Sequence, residues 1–521
     1  MRGAGFALLV GLVVAGSGPA LAAVPSKPNI LFILADDLGY GDVHCLNPER
    51  GKIATPNLDR LAAQGMTFTD AHSGSSVCTP TRYGILTGRY AWRTRLQSGV
   101  LGGFSPPLIE PVRLTVPALL QQHGYATACV GKWHLGLTWP VKGGRQLGDN
   151  ILGNAKDNVA MNSVDWTQPI QHGPTAIGFD SFFGISASLD MPPFVFLRND
   201  RVTQVPTTEK KWLRSGPAAA DFEAVDVLPA LTTEAISVIK GHAERAGAGQ
   251  SFFLYLALTS PHTPILPSKE WQGKSHLGDY GDFVMATDAA VGQVLAALDQ
   301  TGLANHTLVI FTSDNGCSPA AKVKVLESKG HFPSAQFRGY KADVWDGGHR
   351  VPFLVRWPDR VKAGARNEAI ICLTDFMATA ADLLGAKLPA TTAEDSFSFL
   401  PELLSAGRTA RDAIVHHSIE GRFGIRQGPW KLELCPGSGG WSSPKDAEAR
   451  GQKLPEAQLY DLSTDIGEHQ NVQAAHPEVV RQLTERLRKV VAEGRSTAGS
   501  PQRNDGAVDM FKVNRPALSG E

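Results

Sequence analysis

The stretch ILFILADD, Ile30–Asp37, decides the fold. Six apolar residues run without polar alternation and stop on two aspartates. An unbroken apolar run of this length reads as a strand buried on both faces, the kind found in parallel sheets covered by helices. The same shape returns in FFLYLAL (Phe252–Leu258), LVIF (Leu308–Phe311) and FLV (Phe353–Val355). Between these runs, NLDRLAAQGMTF, TVPALLQQHGY, DFVMATDAAVGQVLAALDQTG and DFMATAADLLG place apolar residues at helical spacing and end near glycine. Strands of this kind alternating with such helices predict an α/β fold.

The pattern changes near residue 400. GRFGIRQGPWKLEL and AQLYDLSTD read as antiparallel strands joined by turns, and HPEVVRQLTERLRKVVAEG as an amphipathic helix. The expectation is a large domain over residues 25–400 and a smaller α+β domain over 401–521. Residues 140–176 and 436–456 show no clear period and are expected to be loops, and the last twenty residues are expected to fray.

The chain has 521 residues, 42% hydrophobic and 19% charged, as in an ordinary folded enzyme. Lysine plus arginine and aspartate plus glutamate both number 50, so no basic surplus points to nucleic acid. The first 22 residues read as an export signal: Arg2, an apolar Phe6–Ala15, a Gly-Ser-Gly-Pro break and an Ala20-Leu21-Ala22 cleavage site. An uncleaved anchor is the rival, and the apolar run is short for a span. No later segment is expected to cross a bilayer, so the mature chain is expected to be periplasmic or secreted. The six cysteines are scattered without a C-x-x-C pair, which leaves room for one or two disulfides and no zinc ribbon. Asn305-His306-Thr307 fits the glycosylation pattern.

Three buried runs end on chemistry. Ile30–Ala35 runs into Asp36-Asp37, Leu308–Phe311 into Thr312-Ser313-Asp314-Asn315, and Phe252–Leu258 into Thr259-Ser260-Pro261-His262. Ligands in open α/β sheets bind beyond the carboxyl ends of strands, so these tips are candidates to converge. Three carboxylates and an amide oxygen in one place repel unless a cation joins them, and all-oxygen ligands favour calcium or magnesium over zinc. Taken singly, each acid pair also reads as a cap or turn.

The segment Cys78-Thr79-Pro80-Thr81-Arg82 matches C-x-P-x-R, the motif in which sulfatases oxidise the cysteine to Cα-formylglycine. GYATACVGKWHLG (residues 124–136), SPHTP (260–264) and GYKADVWDGGHRVPF (339–353) downstream look like that family's other signatures, ADD (35–37) and SDNG (313–316) match its metal-binding segments, and the elements come in the family's order. The chain thus resembles the formylglycine-dependent type I sulfatases over nearly its whole mature length. Val77 stands where many relatives have leucine, and Tyr83 and Gly84 where small residues are frequent; neither removes a catalytic group.

The resemblance implies an alkaline phosphatase-like sheet sandwiched by helices, large, mixed and mostly parallel. It also implies a smaller C-terminal domain with an antiparallel sheet. The implied activity is hydrolysis of sulfate monoesters, on a sulfated carbohydrate or an aryl sulfate, after processing by a formylglycine-generating or sulfatase-maturating enzyme. The hydrated aldehyde offers two hydroxyls, one to attack sulfur and one to expel the sulfate later. Pro80 suits a helix start, which would set residue 78 at a positive helix end with Arg82 on the same face. By the resemblance His134 deprotonates the hydrate, Lys132 and Lys341 neutralise sulfate oxygens, and His262 serves the leaving alkoxide. Asp36, Asp37, Asp314, Asn315 and modified Cys78 would bind the metal, usually calcium, with magnesium the alternative. A strand ending near Trp133 would set Lys132 and His134 on one side.

Asp190, His172, Arg145, His331, Arg338, His349, His416 and His417 are weaker candidates for contacts beyond the sulfate. Two other functions stay open on the residues alone: a phosphate or phosphonate ester hydrolase of the same fold, and a non-catalytic carbohydrate-binding relative.

Overall fold

A computed structural model describes residues 27–512, apart from 145, 150, 246–248 and 406. The export signal and Arg145 lie outside the described residues. Ten strands form the main sheet, in the order Ala365–Asn367, Met66–Phe68, Phe353–Arg356, Thr307–Ser313, Asn29–Ala35, Phe252–Ala257, Ala126–Lys132, Ser181–Ile185, Leu197–Arg198, Arg201–Val202. The five from Thr307–Ser313 to Ser181–Ile185 are parallel neighbours, and antiparallel pairs flank them on both sides. All seven residues of Asn29–Ala35 are buried, so both faces of the sheet centre are covered. On one side of Phe32 the ring of Phe376 lies 4.7 Å away, carried by the helix Phe376–Leu384.

The apolar runs became strands within a residue or two of their expected ends. The helices Pro56–Ala63, Val116–Gln122, Asp279–Gln300 and Phe376–Leu384 occupy the periodic segments. Asp279–Gln300 corrects one expectation, because by length and composition it could cross a membrane. Its most apolar window is 78% buried inside the protein, which accounts for a helix apolar nearly all round.

A separate four-stranded antiparallel sheet, Ala413–His417, Phe423–Gln427, Trp430–Glu433 and Gln458–Asp461, follows near the C-terminus. The amphipathic helix Pro477–Ala492 packs on it through Leu483 and Leu487. Two expectations fail here. The 436–456 segment contains a short helix, Asp446–Gly451. Residues 502–512 do not fray: Asp505 pairs with Arg89 at 2.9 Å, and Met510 is buried. The six cysteines are all unpaired.

The two sheets meet through backbone hydrogen bonds. Ser76 N–H donates to the His417 carbonyl at 3.1 Å, Ala342 N–H to the Ser76 carbonyl at 2.9 Å, and Ile419 N–H to the Ala342 carbonyl at 3.0 Å. A buried charge network fills the seam beside them. Lys431 sits among Asp346, Glu433 and Glu468, and Asp70 among His72, Arg350 and Arg426.

Candidate active site

Strand register builds the site. Ala35 pairs with Ser313, and Leu34 with Ala257, so Asp36-Asp37, Asp314-Asn315 and the turn to His262 leave the sheet side by side. Asp314 N–H donates to the Ala35 carbonyl and Asp36 N–H to the Ser260 carbonyl, which prolongs the ladder past the strand ends. Asp37 N–H then donates to Asp314 Oδ1 at 3.2 Å. The tips converge, as their place at the carboxyl ends of neighbouring strands led one to expect.

Cys78 opens the helix Cys78–Thr87, with Val77 extended before it. The helix therefore starts two residues before Pro80. The proline is its third residue, where the missing N–H is one of the first-turn donors that have no partner in the helix. Residue 78 holds the positive end as expected. Cys78 Sγ is 3.7 Å from Asp36 Oδ1, and ligand atoms of Asp36, Asp37, Cys78 and His262 lie within 4.8 Å of one another.

Three cations answer three carboxylates. Lys132 Nζ donates to both oxygens of Asp36, at 3.0 and 2.7 Å. Lys341 Nζ donates to Asp37 Oδ2 at 2.8 Å. Arg82 donates through Nε and Nη2 to Asp314 Oδ2, at 3.1 and 2.7 Å, and through Nη1 to the Lys132 carbonyl. Arg82 is thus clamped on a carboxylate of the cluster. Burial pushes Asp36 up, but Lys132, His262, Arg82 and Lys341 together hold it well below the usual carboxylate range. Burial and the nearby Asp36 charge raise Asp314. Burial raises the Cys78 thiol strongly, so as a plain cysteine it stays protonated and is a poor nucleophile.

A hard divalent cation fits these residues. Asn315 Nδ2 donates to Asp37 Oδ1 at 2.7 Å, while the buried Asn315 Oδ1 has no hydrogen-bond partner. An unsatisfied buried amide oxygen beside three carboxylates is the donor set calcium or magnesium takes.

His134 does not continue the strand. The strand ends at Lys132, and His134 has φ 58°, in the left-handed region. Strand alternation therefore does not set its direction; its own hydrogen bond does. Nε2–H donates to the Leu101 carbonyl at 2.7 Å, leaving Nδ1 as a buried lone pair with no partner. Burial, then Lys132 and Arg82, hold this imidazole well below its ordinary value. The ring is a neutral base. His262 Nδ1–H donates to the Thr263 carbonyl at 2.6 Å, and Nε2 faces Asp37 at 3.6 Å and the Ser188 hydroxyl at 3.4 Å. Ser188 was not foreseen; an isolated serine in a loop carries no sequence signal.

The weaker candidates separate. His331 is pinned between Asp42 and the Lys52 N–H, and Arg338 lies over Trp345 while donating to Tyr460 and the Glu468 carbonyl, so both are structural. His349, His416 and His417 lie buried in the seam, His349 and His416 stacked 3.6 Å apart. Asp190 pairs with Arg214. His172 is exposed and hydrogen-bonds Thr138.

A family model described as sulfatase matches residues 28–386. An N-acetylgalactosamine-6-O-sulfatase of Bacteroides thetaiotaomicron is 34% identical, over 89% of this chain and 93% of that one. Human arylsulfatase A is 32% identical, over 92% and 91%. A solved structure from B. thetaiotaomicron, described with the metabolism of multiple glycosaminoglycans, superposes with a TM-score of 0.76 at 32% identity, covering 89% of this chain and 99% of that one.

Proposed function

Because the chain belongs to the sulfatase family and is a sulfuric ester hydrolase, we propose that it is exported and removes single sulfate groups from the end residue of a sulfated carbohydrate. N-acetylgalactosamine 6-sulfate is the first substrate to try, by its likeness to the bacterial relative. The reading is carried by the convergence of Asp36, Asp37, Asp314 and Asn315 on the N-terminal residue of the Cys78 helix. Asp36, Asp37, Asp314 and Asn315 are the residues that would hold a divalent cation, which would supply Lewis-acid polarisation of the sulfate ester. Oxidation of Cys78 to formylglycine supplies, as the hydrate, a hydroxyl nucleophile that the protonated thiol cannot match.

The chain's own residues do the rest. Three carboxylates and three cationic side chains cancel, so adding a divalent cation leaves the pocket positive enough to hold an anionic ester. Lys132 and Lys341, each anchored on an aspartate, present their ammonium groups to the sulfate oxygens. Arg82 holds Asp314 in place through two hydrogen bonds, its charge opposing the burial that raises that carboxyl. His134 Nδ1 accepts the proton of the attacking hydroxyl. His262 Nε2, facing a carboxylate, carries the proton given to the leaving alkoxide.

The test is paired kinetics on the sulfate and phosphate esters of one alcohol, together with peptide mass analysis of the protein from its native host. The reading expects faster sulfate release and a residue 78 whose side chain is an aldehyde, the thiol sulfur lost and its carbon oxidised, in distinction from cysteine and from serine. A preference for the phosphate ester, or full turnover with an intact thiol, would overturn it.

A further inference from the structure

The His134 ring takes its direction from one acceptor, the Leu101 carbonyl. Leu101 lies outside any helix or strand, so no regular backbone ladder holds it. Two buried hydroxyls do. Thr79 Oγ1 accepts the Leu101 N–H at 3.2 Å, and Ser105 Oγ accepts the Gly102 N–H at 2.9 Å. The Leu101 carbonyl and the Gly102 N–H are the two ends of one planar peptide group. Ser105 therefore fixes the far end of the unit that His134 binds, and Thr79 fixes the residue on its near side. Ser105 Oγ–H in turn donates to the Asp149 carbonyl at 3.4 Å. The hydrogen bonds run in one direction, from the ring through the peptide to Ser105, so each polarises the next. The peptide is also pressed from outside: a Cβ on Gly102 would lie 2.4 Å from the Ile151 carbonyl oxygen.

We propose that Thr79 and Ser105 are positioning residues for the base: they hold the Leu101–Gly102 peptide so that His134 keeps its proton on Nε2 and its lone pair on Nδ1. The inference deepens the role given to His134 above and rests on it. A neutral imidazole has one N–H, and the nitrogen that carries it is set by the hydrogen bond it makes. With the carbonyl in place, Nε2 keeps the proton and Nδ1 alone is left to accept. With the carbonyl turned away, the proton is as well placed on Nδ1, and in that form Nδ1 takes no proton from the nucleophile. Strand geometry does not compensate, because His134 lies past the strand end with φ 58°.

Thr79 is also the second residue of the helix that residue 78 opens. One helical turn thus presents the nucleophile and, through Thr79 and Leu101, sets the ring that deprotonates it. Nucleophile and base come from distant segments, and this short path keeps them in register.

The experiment uses the full-length enzyme carrying Thr79→Val, which keeps the shape and removes the acceptor, Ser105→Ala, or both, with Thr79→Ser as the conservative control. Rates are measured on N-acetylgalactosamine 6-sulfate, or on 4-nitrophenyl sulfate if that sugar is refused. They are divided by formylglycine content, because Thr79 lies inside the C-x-P-x-R motif. Thr79→Val and Ser105→Ala are each expected to lower kcat about 10-fold, the upper worth of one net hydrogen bond, with KM changed less than about twofold. Thr79→Ser is expected to restore the rate. In a His134→Gln background the same changes are expected to cost nothing further, since they act through that ring. Histidine-selective ¹⁵N NMR, with His134 assigned by its loss in His134→Gln, is expected to show the Nε2–H tautomer in the wild type and a mixture in the double variant. Wild-type kcat in the double variant, losses that persist in full in the His134→Gln background, or an unchanged tautomer would each overturn the proposal. A His134→Gln enzyme as fast as the wild type would instead bring down the base role itself, with the tautomer signal still deciding the positioning.

Discussion

Replacing Lys431 by methionine tests whether charge holds the seam between the two sheets. The ammonium lies 2.8 Å from Asp346, 3.2 Å from Glu433 and 2.5 Å from Glu468, all four side chains closed to water. It also donates to the Val344 carbonyl. Methionine is close to lysine in length and fills the space, so the change is one of charge. Breaking a buried pair by removing one partner costs about 3–5 kcal/mol, a large part of a total stability of about 5–15 kcal/mol. The loss carries a pH signature. Burial pushes Asp346 up, yet Lys431, His72, His349 and Arg350 hold it well below the usual carboxylate range. A carboxyl with a depressed folded pKa stabilises the protein above its unfolded value of about 3.9, and that contribution fades as pH falls through the folded value. Without the ammonium the folded pKa rises and the contribution is lost. The variant's deficit is therefore full near about pH 8 and narrows toward about pH 4, where the stranded carboxyls take up protons. Urea unfolding of wild type and variant at both pH values measures it. A deficit below about 1 kcal/mol at the higher pH, or one that ignores pH, would refute the reasoning.

Chelation of divalent cations is expected to lower both activity and the thermal midpoint, and calcium to restore both, by about 2.7 kcal/mol at a hundredfold excess over Kd; a midpoint indifferent to both treatments would remove the metal. Cys78→Ala is expected to abolish turnover while moving the midpoint little, because its side chain is small and its hydrogen bond to Asp36, at 3.7 Å, is weak; residual turnover near wild type would count against Cys78. His134→Gln is expected to cut kcat by about 10²–10⁴. The neutral ring is the active form above its folded pKa, and burial lowers that pKa. Wild-type activity is therefore expected to hold as pH falls through the ordinary histidine value of 6.5, and an acid limb there belonging to this ring would contradict the geometry.

What could be read from the sequence was whatever repeats locally. Ile30–Ala35 announced itself because a strand buried on both faces leaves no polar residue to confuse it, and its register then brought Asp36 and Asp314 together. The Cys78 helix was legible, though its start was misplaced by trusting Pro80 as the first residue rather than the third. His134 was found through the residues around it, but its direction was not, because a left-handed residue obeys no strand period. Ala224–Arg245 went unseen, with Pro229 inside it and a weak apolar stripe. The seam was invisible for a deeper reason. Asp70, Asp346, Lys431 and Glu468 are scattered along the chain, and each alone reads as a solvated charge. Only folding removes their water and makes them a network.

The Ser76–His417 and Ala342–Ser76 bonds place the edge of the small sheet two residues from Cys78 and one from Lys341. Trimming the chain to the stretch the family model spans would unmoor the reactive residue and its lysine at one stroke. A graft of this catalytic scaffold onto another protein has to carry the residues beyond 400 with it, as a keystone and not as an appendage.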